Sequence, residues 1–145
     1  MDKVEIQFLI VLIQIIMETS KIKIIVLWVI VICGFALHTL ADLLPLFWAE
    51  SITVDATGNA PAGLLTFMMT VSYLIPVIGI LCTLYGRSRP WYIGNVVLAA
   101  LMFLFNLFHL GELFTGFSAV QLPLLPVILV VSGFLCMESW RFAKK

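Results

Sequence analysis

The sequence predicts an all-α membrane protein: a four-transmembrane-helix bundle, preceded by an N-terminal amphipathic helix. Three observations carry that prediction. Of the 145 residues, 63% are hydrophobic and 11% charged, with a mean hydropathy of +1.17; soluble domains carry roughly a quarter of charged residues. Four apolar runs are each long enough to supply the roughly 20 helical residues that cross a hydrocarbon core about 30 Å thick. All eight Lys and Arg residues fall on one side of a four-span arrangement.

The chain reads as one membrane domain over 1–145. Residues 1–20 come first. "VEIQFLIVLIQIIM" (4–17) is short for a span, and no small-residue cleavage site follows it. Lys3, Gln7, Gln14 and Glu18 share a helical stripe that passes through Val11. That pattern predicts a helix lying in the membrane interface, with a short fifth span as the alternative.

Span one covers 22–48, with Thr19 and Ser20 as candidate caps. "SITVDATGNAPAG" (51–63) is a polar loop rich in turn formers. Span two covers 64–85 and contains Pro76, which cannot donate to the Ser72 carbonyl and should kink the helix. "GRSRP" (86–90) is a short charged turn before span three, 91–117. Span four covers 120–140, with Pro123 and Pro126 in or near its first turns, where a missing N–H costs least.

Lys3, Lys21, Lys23, Arg87, Arg89, Arg141, Lys144 and Lys145 share one side; the other holds Glu50 and Asp55 and no basic residue. The positive-inside rule then places both termini in the cytoplasm. Net charge is zero, and no basic stripe with interleaved aromatics argues for nucleic acid. No GxGxxG, P-loop, HExxH or GxSxG motif occurs, so nucleotide binding and the familiar hydrolase mechanisms lack linear support. Cys33, Cys82 and Cys136 lie in separate apolar runs and read as small buried hydrophobes rather than a disulfide or zinc framework.

A shift of 71 residues places His38 on His109 and Leu27 on Leu98. It also aligns "LIPVIGILCTLYGR" (74–87) with "LLPVILVVSGFLCMESWR" (124–141), once one helical turn is inserted. This suggests two helical hairpins in tandem, a parallel repeat about an axis along the membrane normal, with spans one and three as neighbours. Chance similarity between apolar helices is the alternative.

Ionisable groups inside spans are costly and face the bundle interior or a wet cavity. Four of them stand out. His38 and Asp42 are spaced i,i+4, and His109 and Glu112 i,i+3, so each pair should project from one helix face. At about 1.5 Å per residue both pairs fall in the outer third of a bilayer. Asn106, one turn before His109, and the stripe Thr66, Thr70, Tyr73 on span two are candidate hydrogen-bonding supports. The loop 49–62 would roof the pocket. Having no Lys or Arg, it would leave a negative field that favours a cation.

Several readings of this cluster stay open. The pairs could only hold helices together, as polar residues do in membranes. Two imidazoles with two carboxylates could hold a divalent metal such as zinc or iron. A His–carboxylate chain could bind or relay a proton. Haem held between His38 and His109 is a further reading.

"HTLAD" (38–42) and "HLGEL" (109–113) resemble the small bacterial membrane proteins named for an HXXEE motif. The first keeps His38 and an acid, Asp42, at the fifth place, with Ala41 where Glu is expected. The second keeps His109 and Glu112, with Leu113 at the fifth place. The resemblance implies a His/carboxylate site in a small helical domain of a prokaryotic cytoplasmic membrane. The expected partner is the lipid bilayer, with a homo-oligomer or a larger membrane complex left open.

Overall fold

Nothing between Lys3 and Leu43 stops a helix: the stretch has no proline and a single glycine, and Pro45 follows it. In the structure, a computed structural model that describes residues 2–44, 47, 61–115 and 119–144, this stretch is one helix. α1 (Lys3–Leu43) runs 41 residues, about 60 Å at 1.5 Å per residue. The separate helix expected over 1–20 is therefore continuous with span one. Thr19 and Ser20 do not cap a helix start. Their hydroxyls donate to Ile15 O (2.8 Å) and Ile16 O (2.9 Å) inside the helix. Residues 4–16 are exposed on every face, and packing begins at Met17 and Ile24.

The second span is α2 (Ala62–Met69), a π turn (Thr70–Leu74) and α3 (Ile75–Tyr85), together 24 residues. The disturbance expected at Pro76 takes the form of this π turn. Ile75 N–H donates to Thr70 O, five residues back, and Pro76 opens the following helix. Widening the ladder there absorbs the missing donor and the ring's bulk.

α4 (Arg89–His109) starts with Pro90 in its first turn and stops well short of the expected 117. Gly111 N–H donates to Phe108 O at 2.9 Å, and a Cβ on Gly111 would lie 2.8 Å from that same oxygen. Only glycine fits this close turn. A single helical turn follows, α5 (Glu112–Thr115). α6 (Leu124–Ala143) is entered through Gln121, whose carbonyl accepts the N–H groups of Leu124 and Leu125.

Among the described residues four helices, Lys3–Leu43, Ala62–Tyr85, Arg89–His109 and Leu124–Ala143, are long and apolar enough to cross a membrane. They close a ring in which α1 packs on α3 and α6, and α4 also packs on α3 and α6. α1 and α4 thus stand diagonally across the bundle instead of side by side as expected. Their inward faces are in register. The buried Ile24, Trp28, Val31 and Phe35 of α1 each lie 71 residues before the buried Asn95, Ala99, Met102 and Asn106 of α4, the separation of His38 and His109.

The half of the bundle nearer the chain ends is closed by Trp28. Its indole N–H donates to Asn95 Oδ1, and Asn95 Nδ2 donates to Ser139 Oγ, both at 2.9 Å. All three residues are buried. The indole packs directly against Gly79, where a Cβ would approach Trp28 Cε2 to 2.3 Å. Of the free cysteines, Cys82 is buried, Cys136 half-buried and Cys33 exposed, so the third departs from the expectation of burial.

Candidate functional site at the paired histidines

At the opposite end of the bundle, the last turns of α1 carry His38 and Asp42, the last residue of α4 is His109, and the turn before α6 carries Gln121. His38 and His109 reach across the diagonal and meet, Nε2 to Nε2, at 2.9 Å. Their rings are perpendicular (87°) with centroids 4.6 Å apart. On its other edge, His38 Nδ1 lies 2.7 Å from Gln121 Oε1. The Gln121 amide also donates to Asp42 Oδ1. Asp42 Oδ2 lies 3.6 Å from His38 Nε2.

Elementary donor and acceptor chemistry orders these contacts. A carboxylate only accepts, so Gln121 turns its NH₂ to Asp42 and its carbonyl to His38. That carbonyl only accepts, so His38 carries its proton on Nδ1. A neutral His38 then has a lone pair on Nε2, and the hydrogen in the His–His contact belongs to His109 Nε2. The direction runs from His109 to His38, on to Gln121, and ends on Asp42. Gln121 thereby locks the tautomer of His38 and presents its Nε2 as the proton-accepting atom.

Burial grades along the chain. Gln121 is buried, the His38 side chain is 11% exposed and the Asp42 side chain 59% exposed. The polar group opens to the surface at Asp42. On the inner side, His109 stacks on Phe105 at 5.6 Å and 21°, and Phe105 contacts Phe35 at 6.0 Å. A cavity of about 380 Å³ lies against both histidines, between α1, α4 and the π turn of the second span.

The expected site residues fare differently. His38, Asp42 and His109 come together. Glu112 does not share a helix with His109, because the chain turns at Gly111 and Glu112 opens α5; its side chain lies outside the described residues, as do residues 49–60 of the expected roof. Asn106 is buried beneath the site, and its Nδ2 has no hydrogen-bond partner among the described residues. The span-two stripe makes no hydrogen bond to the cluster among the described residues. Thr66 and Thr70 hydroxyls bond to carbonyls one turn back, Ala62 O and Thr66 O, and Tyr73 is exposed. Gln121 was missed because it reads as a boundary residue; its signal is an isolated amide in the apolar "AVQLPLLP".

Among the described residues there is no group of three or more His, Cys, Asp and Glu placed to hold a metal ion. Haem fits poorly. An iron ligated from both faces would hold two nitrogens about 4 Å apart, twice a metal–nitrogen bond of about 2.0 Å, with a macrocycle between them, whereas the two Nε2 atoms touch at 2.9 Å. Compared with protein-family models, curated proteins and solved structures, the chain matches none.

Proposed function

We propose that this chain is a multi-pass membrane protein, two helical hairpins in parallel tandem, whose histidine pair binds a proton and exchanges it with the aqueous face through Asp42. The observation that carries the reading is the directed chain from His109 through His38 and Gln121 to Asp42. His38 Nε2 stands between two exchange partners, His109 Nε2 at 2.9 Å and Asp42 Oδ2 at 3.6 Å. A proton passed from Asp42 Oδ2 to His38 Nε2 displaces the His109 N–H from that lone pair, the Asp42 carboxylate left behind balances the imidazolium, and the proton leaves by the same exposed carboxylate. Below the pair the bundle axis is filled by Val31, Phe35, Ala99 and Met102. That apolar plug supports a binding and exchange site at one end rather than a wire across the bundle.

The tandem reading rests on the register of the two buried faces and the diagonal placement of α1 and α4, the arrangement a two-fold axis along the bundle requires. The segregation of basic residues supports cytoplasmic termini and, with them, histidines toward the outer side. The same pair is the part of the HXXEE-like segments that the geometry uses.

The test is ring-nitrogen NMR of histidine on protein in micelles or bilayers. In the neutral state His38 should be the Nδ1–H tautomer and His109 the Nε2–H tautomer, and both rings should respond in one step as the sample is acidified. A His38 protonated on Nε2 in the neutral state, or two rings that never take up a proton, would leave the cluster as helix glue. Stoichiometric metal after mild purification would replace the proton reading with the metal one.

A further inference from the structure

The cavity beside the histidines has a composition that selects a ligand. Its volume is about 380 Å³, within the range of small-molecule pockets. The wall is mostly apolar and aromatic: Phe35 and Phe105 on one side, Leu65, Met68 and Met69 on the other. Leu65 and Met68 are about half exposed and Met69 more so on the bundle's flank, so the opening faces sideways, toward the lipid in the proposed membrane setting. Two aromatic rings and two thioethers make a wall suited to a flat ring.

The polar atoms on the wall are matched in kind. Thr39 Oγ1 donates to Phe35 O at 3.1 Å, and Ser72 Oγ donates to Met68 O at 2.7 Å. Each hydroxyl has thus spent its only hydrogen on its own helix. What it offers the cavity is oxygen lone pairs. Ser72 belongs to the π turn, a distortion that recurs at functional sites. A wall that accepts hydrogen bonds favours a ligand that donates one, and the histidine pair stands beside it.

We propose that this pocket binds a membrane-dissolved molecule with a hydroxyl-bearing aromatic ring, a phenol or quinol, its O–H directed to Ser72 and Thr39 next to the histidine pair. The inference deepens the proton-exchange reading and rests on it for the role of the pair, while the binding itself is tested separately. No covalent or redox step is part of it.

The probe is para-pentylphenol, compared with its methyl ether, which has the same ring and tail but no donor. With the full-length protein in micelles, the phenol should bind saturably and raise the unfolding temperature, and the ether should bind at least about ten-fold more weakly, the loss of one hydrogen bond to a buried site. Met68→Trp fills the cavity without touching the histidine hydrogen bonds and should abolish binding. Ser72→Ala should weaken it about five- to ten-fold and leave the histidine tautomers unchanged. Equal binding of phenol and ether, or full binding to a folded Met68→Trp protein, overturns the inference. If the phenol binds as expected while the rings share no hydrogen bond, the pocket stands and the proton reading falls. If the tautomers are as derived but the ether binds equally, the pocket inference falls alone.

Discussion

Two polar clusters join α1 to α4 across the bundle, and they differ in every chemical respect that matters. Trp28, Asn95 and Ser139 are neutral and 0–3% exposed, with the indole N–H and the amide NH₂ each on an acceptor. The histidine cluster, ten residues further along α1, contains groups that ionise and grades from a buried amide to an exposed carboxylate. The first has no proton to exchange in any ordinary pH range; the second sets two exchange partners, His109 Nε2 and Asp42 Oδ2, around His38 Nε2. Satisfied, sealed polar groups hold helices in place. A graded, titratable group that opens to the surface is what a proton site needs.

The largest expected effect breaks the sealed end. Gly79→Leu would put a side chain where even a Cβ lies 2.3 Å from the Trp28 ring. The indole must leave its seat and its bond to Asn95, at a cost of about 3 kcal/mol or more. Thermal unfolding in micelles measures this. A loss under about 1 kcal/mol would mean that Trp28 does not sit against that glycine.

Asn95→Leu should come next. It strands the Trp28 N–H and the Ser139 hydroxyl, at roughly 2–3 kcal/mol. The two clusters are separated by about 15 Å along the helices, so the histidine tautomers should not change. Altered tautomers in this variant would show that the clusters act as one network.

His38→Ala should cost less stability, roughly 1–2 kcal/mol, by leaving Gln121 and Asp42 in a half-satisfied group. Adding Gln121→Leu should recover part of that loss, as removing both partners of a buried contact does. Proton binding by His109 should lose its coupling in both variants, seen as a changed NMR titration. A wild-type titration of His109 in His38→Ala would separate the rings functionally.

Asp42→Asn is expected to have the smallest effect on stability, under about 0.5 kcal/mol, because its side chain is 59% exposed and exposed ion pairs contribute little. Asn keeps an oxygen for the Gln121 amide but loses the charge. The bundle should stay intact while proton exchange at His38 slows, as read from NMR linewidths. Unchanged exchange would remove Asp42 from the path.

Much of this was legible in the residues. Composition and run length specify four apolar helices, because each span's hydrogen bonds close within itself and need no partner. The i,i+4 spacing put His38 and Asp42 on one face. Matching histidines 71 residues apart pointed to a meeting of two helix ends. Other features were not legible. α4 ends at His109 because Gly111 turns tightly onto Phe108 O, and a helical reading of "FHLGELF" cannot see that contact. α1 runs unbroken through "ETSKIK" because hydroxyls that cap one helix bond equally well inside another.

By itself, then, the sequence determined four apolar runs of spanning length and which of them carry imidazole and carboxylate, since these follow from composition, local periodicity and the cost of leaving backbone groups unpaired. Only the tertiary structure decided that α1 and α4 face each other diagonally, that Gln121 from a distant turn orders the protons, and that the Thr66 and Thr70 hydroxyls bond within their own helix. Those outcomes depend on ring-like packing through α3 and α6, and on side chains 67 to 83 residues apart in sequence that meet only after the bundle closes.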